Sequence, residues 1–504
     1  MTHTIVPNWL RKRADLTPER PAVILHDNIV TFAELDKRAQ SVARRLIRMG
    51  VHKGDHVALL FPNGLEIIEL IHGLEYIGAV MVLLNTRLSA HELAWQIEDA
   101  NVAHVLYDLS FLEKVQEIRQ NHRLPHLAWR TVSEMMEHPE TATEELQMEF
   151  DLDQTHTIIY TSGTTGYPKG VQLCYGNHWW SAIGSALNLG LHLDDRWLAC
   201  VPMFHVSGLS ILMRSVMYGI AMVVLESFDP KQVNDAIIRQ HVTIVSVVSA
   251  MLKQMVDELE DSHRRYPETF RCMLLGGGPA PLPILEACKA FDIPIYQTYG
   301  MTETASQIVT LSPEYMLQKL GSAGKPLFQA QLQIVQDGEV QKPMQAGEIL
   351  VKGPNVTKGY WNRADATAHV FTQGWLHTGD IGYLDEDGFL YVLDRRSDLI
   401  VSGGENIYPA ELEAVLLSHP AILEAGVTGM EDPVWGKIPA AFVKIRPGQI
   451  IDEKELKTFC FGKLASYKIP KCFYSVVQLP RNASNKLLRR ELLGLVDATG
   501  TRKI

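Results

Sequence analysis

Short apolar, β-rich runs alternate with helix-like segments from about residue 20 to residue 310, and this alternation restricts the fold more than any other feature of the sequence. The runs cover residues 57–61, 79–85, 104–108, 157–162, 221–226, 242–248 and 272–278. The segment 31–50 is typical of an amphipathic helix, with Thr31 as its cap, Glu34 completing a capping box and Gly50 ending it. Because strands that alternate with helices form parallel sheets covered by helices, we expect a large α/β domain.

The pattern changes after about residue 320. Residues 331–356 alternate apolar and polar side chains around Asp-Gly and Ala-Gly turns, which predicts antiparallel strands and a small β-barrel over about 320–394. From about residue 397 the chain has the pattern of a compact α+β unit of roughly 100 residues, a usual size for a small domain. We predict a large N-terminal domain (1–394), a hinge (395–398) and a small, mobile C-terminal domain (399–504).

Length, charge and composition argue against a single-domain chain, a nucleic-acid binder and a membrane-spanning protein. A chain of 504 residues exceeds what one hydrophobic core usually organises, and its net charge of −11 argues against a nucleic-acid binder. The six cysteines form no C-x-x-C pair and the first residues lack the apolar core of a signal peptide, so we expect a cytoplasmic protein with reduced thiols. The most apolar stretch, 208–225, contains Arg214, which favours a buried helix followed by a strand over a membrane span.

The segment 158–173, IIYTSGTTGYPKGVQL, carries the strongest functional signal. A predicted strand ends at Tyr160 and is followed by glycines and hydroxyl side chains, and then by Lys169. Such a loop presents backbone N–H groups, hydroxyl donors and one cation to a polyanion. The spacing differs from G-x-x-x-x-G-K-[ST], so this is a phosphate loop of another kind. Taken alone, a glycine-rich loop is equally compatible with a surface hairpin.

The segment YTSGTTGYPKG (160–170) resembles the phosphate loop of the adenylate-forming superfamily, which comprises acyl-CoA synthetases, firefly luciferases and nonribosomal adenylation domains. The segments LLGGGPAPL (274–282), YQTYGMTETASQ (296–307) and SGGENIYPAELE (402–413) match further motifs in the same order. The resemblance implies ATP and Mg²⁺ as cofactors, with Glu303 on the metal, since a cation bridging phosphates takes one or two carboxylates. It implies phosphate binding by Thr161, Ser162, Gly163, Thr164, Thr165, Gly166, Lys169 and Thr302.

The same resemblance assigns the remaining nucleotide and thiol contacts. For adenine and ribose it implies Gly277, Gly278, Pro279, Tyr299, Gly300, Asp380 and Arg395. A carboxylate such as Asp380 that accepts two hydroxyl hydrogen bonds suits a ribose. Ser397 falls at the hinge, and Ser402, Gly403 and Gly404 fall beside the tunnel for coenzyme A (CoA), the expected co-substrate.

Lys486, in LPRNASNKLLRREL (479–492), matches the lysine that the superfamily inserts between the reacting carboxylate and the α-phosphate. By local pattern alone it is a solvated lysine near the start of a helix. The superfamily usually has glycine before this lysine. Here Asn485 takes its place, and asparagine tolerates left-handed backbone better than other non-glycine residues.

The acid substrate depends on the pocket and not on the fold. Over nearly its full length, the sequence most resembles the branch of acid–CoA ligases that activates a succinyl-substituted benzoate in menaquinone biosynthesis. That acid has a second carboxylate on its ring, and the candidates for binding the ring carboxylate are Ser207, Arg214 and Ser306, with His205 as a further acid-binding residue. His205 is expected to line the carboxylate entry, whereas Arg214 either faces the substrate or has a structural role.

Two other functions stay open at this point. One is a medium-chain fatty or aromatic acyl-CoA ligase. The other is a non-catalytic nucleotide-binding paralogue, which the presence of Lys486, Glu303 and Asp380 disfavours. The expected partners are a small carboxylic acid, ATP and CoA, without nucleic acid or membrane insertion, and the sequence leaves homo-oligomerisation open.

Overall fold

The structure, a computed structural model, describes residues 3–122, 124, 127–140, 145–161, 168–277, 282–395, 398–402, 405–432, 436–461, 463–464, 468–481, 487–496 and 500–504. Its helices are α1 (Trp9–Leu16), α2 (Phe32–Arg48), α3 (Leu65–Ile77), α4 (Ala90–Asp99), α5 (Leu112–Asn121), α6 (Val132–Glu137), α7 (Tyr175–Leu189), α8 (Val206–Tyr218), α9 (Pro230–Arg239), α10 (Ser249–Ser262), α11 (Leu282–Ala290), α12 (Ala364–Val370), α13 (Pro409–Leu417) and α14 (Glu453–Phe461). The capping box predicted for the second helix is present, with Thr31 and Glu34 bonded reciprocally.

Two largely parallel sheets form the large domain, as the alternation predicts. The first sheet has the spatial order β10 (Lys169–Cys174), β9 (Thr155–Thr161), β5 (Val80–Leu83), β4 (His56–Leu60), β6 (His104–Tyr107) and β7 (Ala128–Thr131). The second has the order β17 (Lys325–Pro326), β16 (Ser306–Leu311), β15 (Ile295–Met301), β14 (Cys272–Gly276), β13 (Ile244–Val248), β11 (Arg196–Ala199), β12 (Ala221–Val224), β2 (Pro21–Leu25) and β3 (Asn28–Thr31). A small pair joins β1 (Ile5–Pro7) to β8 (Glu149–Asp151).

Antiparallel pairing occurs at or next to the sheet edges. Strand β10 runs antiparallel to β9, and β16 runs antiparallel to β15, whereas the inner strands of both sheets are parallel. The apolar stretch 208–225 is a helix, α8, followed by strand β12, as predicted.

The two sheets enclose a central layer of helices, and each is covered on its other face. Alternate residues of one strand serve the two faces: Val57 and Leu59 of β4 pack into the central core with α2, α3, α7 and α8, while Ala58 and Leu60 pack against α4 and α5. The far face of the second sheet packs against α9, α10 and α11.

The antiparallel unit predicted near 320–394 is present as a half-barrel. Its order is β19 (Glu339–Val340), β18 (Gln331–Gln336), β20 (Gly347–Lys352), β22 (Trp375–Leu384) and β21 (Phe371–Thr372), with β23 (Leu390–Arg395) on the side of β22. Its apolar residues form a core of their own with Ile308 and Val309 of β16, so the half-barrel is packed directly onto the second sheet.

The C-terminal part has a separate α+β core. Its sheet has the order β25 (Glu405–Ile407), β24 (Ile400–Ser402), β27 (Gly436–Ile445), β28 (Cys472–Ser475) and β29 (Arg502–Lys503), with β26 (Ile422–Asp432) beside β27. Helices α13 and α14 pack on one face of this sheet. All six cysteines are buried free thiols. In the part of the chain that the structure describes, no helix combines the length and apolarity needed to cross a bilayer.

Candidate active site

The two strands of the β9–β10 pair flank the predicted phosphate loop. Thr161, the last residue of β9, is paired across the ladder with Lys169, the first residue of β10. One hydroxyl side chain and one ammonium side chain therefore flank the loop segment. The predicted loop residues Ser162, Gly163, Thr164, Thr165 and Gly166 lie outside the described residues.

Glu303 lies in a short 3-10 helix, Thr302–Thr304, between β15 and β16. The turn is tight: Ala305 has φ 51° and Ser306 has φ 101°, values that non-glycine residues seldom adopt. Gly300 is required by this turn, because a Cβ there would overlap the Ser306 carbonyl oxygen. The hairpin thus presents Thr302 and Glu303 next to Tyr299 in one half-buried turn. A single carboxylate of this kind fits a Mg²⁺ ion that keeps most of its ligands from phosphate and water.

Residues 355–361, which we call the strap, join the phosphate hairpin to the Glu303 turn. On the Glu303 side, Thr357 N–H donates to the Glu303 carbonyl oxygen (2.7 Å), and the Asn355 side-chain amide donates to the Thr304 carbonyl oxygen (2.9 Å). On the hairpin side, Trp361 N–H donates to the Gly170 carbonyl oxygen (2.8 Å). The strap therefore fixes two elements that belong to different sheets relative to each other.

Tyr299 and Asp380 are in direct contact in the predicted nucleoside site. The Tyr299 hydroxyl donates to Asp380 Oδ2 (2.8 Å), and Asp380 is buried at the bend of β22. Asp380 is also the ladder partner of Arg395 in β23, so the backbone brings the predicted ribose residues together. Gly277 has φ 81°, a left-handed turn that suits glycine. Gly278 and Pro279 lie outside the described residues.

Three of the predicted acid-binding residues belong to α8 or its cap, and the fourth, Ser306, begins β16. His205 caps this helix, and burial together with the nearby Arg87 charge lowers the pKa of His205 to about 4, so its imidazole is neutral at pH 7. Ser207 is exposed in the first turn, and Arg214 is seven residues further on the same helical face. With so low a pKa the His205 imidazole is a weak base, and its lining of the carboxylate entry stays a prediction.

Arg214 is fully buried and has only neutral contacts among the described residues. Its Nη2 donates to Ser181 Oγ (3.2 Å), its guanidinium lies 5.3 Å from the centre of the Trp197 ring, and burial lowers its pKa. Ser181 in turn donates to the Ala305 carbonyl oxygen (2.6 Å), directly before Ser306. The structure thus links Arg214 to the neighbourhood of Ser306 through Ser181, while Ser207 is two helical turns away.

The C-terminal candidates are mostly outside the described residues, namely Ser397, Gly403, Gly404 and Lys486. Their flanks are described. Ser402 ends β24, and Asp398 accepts an ion-pair hydrogen bond from Arg489 Nη1 (3.0 Å). Arg481 and Leu487, which flank the segment that carries Lys486, form a β-bridge.

Two groups of functional interest escaped the sequence analysis. The first is Ser181 of α7, the described hydrogen-bond acceptor for Arg214. The second is the strap, above all Tyr360, whose hydroxyl donates to Glu303 Oε1 (3.0 Å). Its sequence, NVTKGYW, contains the asparagine, threonine, glycine and tyrosine typical of an irregular, hydrogen-bonded segment, but nothing local to it indicates which residues it contacts.

Two family models match the chain. The model described as AMP-binding enzyme matches residues 10–361, and the model described as AMP-binding enzyme C-terminal domain matches residues 411–486. A 2-succinylbenzoate–CoA ligase of Geobacillus sp. is 59% identical over 493 residues, which cover 98% of this chain and 98% of the relative.

Two solved structures are similar over almost the whole chain. The o-succinylbenzoate CoA synthetase from Bacillus subtilis in complex with its acyl-adenylate intermediate has a TM-score of 0.91 and 51% identity, covering 97% of this chain and 98% of that one. The same Bacillus subtilis enzyme with ATP and magnesium ion has a TM-score of 0.91 and 50% identity, covering 97% of this chain and 100% of that one.

Proposed function

The chain belongs to the AMP-binding enzyme family, and from this we propose that it joins 2-succinylbenzoate to CoA in menaquinone biosynthesis, using ATP and releasing AMP and pyrophosphate. The observation that carries the proposal is the end-to-end identity of 59% to a 2-succinylbenzoate–CoA ligase. The buried Arg214 of α8 supports the same substrate, because an acid with a second carboxylate needs a cation in its pocket.

The reaction has two half-reactions. In the first, the succinyl carboxylate attacks the α-phosphorus of ATP, the bond to pyrophosphate breaks, and an acyl adenylate forms. In the second, the CoA sulfur attacks the acyl carbon and AMP leaves. A carboxylate needs this activation because oxide is a poor leaving group, whereas AMP is a good one.

Placing cations around the triphosphate dominates the first half-reaction, because several negative charges converge there. Lys169 and the hydroxyl of Thr161 lie at the base of the phosphate loop, and with Ser162, Gly163, Thr164, Thr165, Gly166 and Thr302 they are assigned to the β- and γ-phosphates. Glu303 holds Mg²⁺. The metal, when bound, neutralises charge on the phosphates and on the leaving pyrophosphate.

The nucleoside lies between the half-barrel and the second sheet. Tyr299, with Gly277, Gly278, Pro279 and Gly300, borders adenine, and Asp380 and Arg395 bind the ribose. The 2.8 Å hydrogen bond from Tyr299 to Asp380 supports this assignment, since it ties the adenine wall to the ribose carboxylate.

The acid lies along α8. His205 and Ser207 line the approach of the succinyl carboxylate. Arg214 and Ser306 bind the ring carboxylate, directly or through water. The Arg214–Ser181–Ala305 chain of hydrogen bonds supports this arrangement, because it directs the guanidinium to the backbone that carries Ser306.

The small domain (399–504) serves both half-reactions by turning about the hinge 395–398, at Ser397. In one position Lys486 lies between the carboxylate and the α-phosphate, where a flexible cation with three donors contacts both. In the other position Lys486 is withdrawn and Ser402, Gly403 and Gly404 border the CoA thiol. The buried free thiols support a reducing, cytoplasmic location.

The test measures acid-dependent pyrophosphate release with 2-succinylbenzoate, benzoate and octanoate, with and without CoA. The expected result is AMP and a CoA thioester from 2-succinylbenzoate, with little product from the other acids. Octanoyl-CoA formation at equal or higher kcat/KM would assign the protein to fatty-acid activation instead.

A further inference from the structure

One side chain, Tyr360, contacts both the carboxylate that the proposed function assigns to Mg²⁺ and the lysine that it assigns to the β- and γ-phosphates. Its hydroxyl donates a hydrogen bond to Glu303 Oε1 (3.0 Å), and Lys169 Nζ lies 5.2 Å from the centre of its ring. Glu303 follows a strand of the second sheet and Lys169 begins an edge strand of the first. Tyr360 therefore lies where the two halves of the phosphate site meet.

The backbone holds Tyr360 from both sides. Tyr360 forms a β-bridge with Val171 of the phosphate hairpin, and the adjacent Gly359 carbonyl oxygen accepts a hydrogen bond from Gln172 N–H (3.1 Å). Tyr360 N–H itself donates to Thr367 Oγ1 (3.0 Å). The ring is thus anchored as a continuation of the hairpin, and its hydroxyl reaches the Glu303 turn.

Each contact suits positioning of a metal and phosphate site. A ligating carboxylate is usually oriented by a hydrogen bond to one of its oxygens, and loss of such a partner typically weakens metal binding or activity by about 10- to 100-fold. An aromatic face attracts an ammonium group and keeps it over the ring. One residue can therefore orient the carboxylate and hold the lysine extended beside it.

We propose that Tyr360 is a positioning residue for adenylation: through its hydroxyl it orients Glu303 for the metal bound to ATP, and through its ring it holds Lys169 toward the polyphosphate. The inference rests on the proposed function, in which Glu303 holds the metal. It gives the strap a role in the first half-reaction and none in the second.

Tyr360→Phe separates the two contacts, because it removes the hydroxyl and keeps the ring. We expect the Mg²⁺ concentration for half-maximal acyl-adenylate formation to rise about 10-fold. The affinity for Mn²⁺ in the presence of ATP, read from the spin-resonance signal of free Mn²⁺, should weaken by a similar factor. The rate of thioester formation from preformed acyl adenylate and CoA should stay at the parent value. Tyr360→Leu should in addition weaken ATP binding measured without metal, since the ring that holds Lys169 is lost.

Tyr266→Phe is the matched control. Its hydroxyl also donates to one side chain, Asn234 Oδ1 (2.6 Å), but in the helical layer on the far face of the second sheet. This variant should keep the parent Mg²⁺ and Mn²⁺ dependence even if its melting temperature falls.

Parent-like Mn²⁺ and Mg²⁺ affinities in Tyr360→Phe would overturn the proposal, and so would equal losses in both half-reactions accompanied by a lower melting temperature. A failure of the proposed function is distinguishable, because it would appear in the parent protein as absence of 2-succinylbenzoate-dependent AMP. The Mn²⁺–ATP measurement needs no acid and still tests Tyr360 in that case.

Discussion

Arg214→Met isolates the residue that we assign to the ring carboxylate. Arg214 is 1% exposed, and among the described residues its guanidinium has one hydrogen bond, to Ser181, and one aromatic contact, with Trp197; its Nε has no hydrogen-bond partner there. Methionine fills a similar elongated space without charge. The substitution should therefore affect a charged ligand more than it affects the fold.

The expected magnitudes follow from these contacts. A hydrogen bond to a charged group contributes about 1.5–3 kcal/mol, so its loss should lower kcat/KM for 2-succinylbenzoate by about 10- to 150-fold. Burying a cation without a charged partner costs free energy, so the free energy of unfolding of Arg214→Met should equal or exceed that of the parent.

The assay compares 2-succinylbenzoate with 4-oxo-4-phenylbutanoate, which lacks only the ring carboxylate. The parent should prefer the first acid, and the ratio of the two kcat/KM values should approach one in the variant. Arg13→Met is the control, because Arg13 holds the other end of α8 through hydrogen bonds to the Val216 and Met217 carbonyl oxygens (2.8 and 2.6 Å). It should change both kcat/KM values equally. An unchanged ratio in Arg214→Met would refute the reasoning.

Three further predictions concern catalysis, packing and pH. Lys486→Ala should slow acyl-adenylate formation by at least about 100-fold and leave thioester formation from preformed acyl adenylate near the parent rate. Rapid-quench measurements of each half-reaction check this. Equal losses in both half-reactions would give Lys486 a structural role. Gly300→Ala should lower the free energy of unfolding in urea by about 1–3 kcal/mol, because its Cβ would overlap the Ser306 carbonyl oxygen, and a parent-like value would contradict the packing. Glu75 is buried, which alone would raise its pKa, but hydrogen bonds from His72 Nδ1 (2.8 Å) and His156 Nε2 (2.9 Å) lower that pKa to about 2. The ionised Glu75 therefore stabilises the fold fully above its usual pKa of 4.5, and this stabilisation is lost as the pH falls toward 2. The free energy of unfolding of the parent should exceed that of Glu75→Gln by about 3–5 kcal/mol near neutral pH, and this difference should shrink over that range. A difference that does not change with pH would contradict the prediction.

Local pattern was sufficient for many of the helices and strands, whereas most of the candidate site residues came from the family resemblance and stay predictions. The run 57–61 became β4, the segment 31–50 became α2 with the expected caps, and Arg214 stood out because a charge is rare inside an apolar run. These features depend on neighbours within a few residues, where periodicity and capping act.

Contacts between distant segments could not be predicted in this way. The hydrogen bond from Tyr360 to Glu303 spans 57 residues, and that from Arg214 to Ser181 spans 33. Each depends on strand register and helix packing, which no local pattern fixes. The reversal of β10 against the parallel strands was also missed, because an apolar run does not reveal the direction of its strand.

The strap has a consequence for solubility as well as for the site. Strand β10 is the edge of the first sheet, and an uncovered edge of apolar β residues pairs readily with other chains. Here its backbone is covered by the strap through Gly359, Tyr360 and Trp361. A chain shortened to end before residue 355 would expose this edge, so the half-barrel region cannot be trimmed from the large domain without creating a surface prone to aggregation.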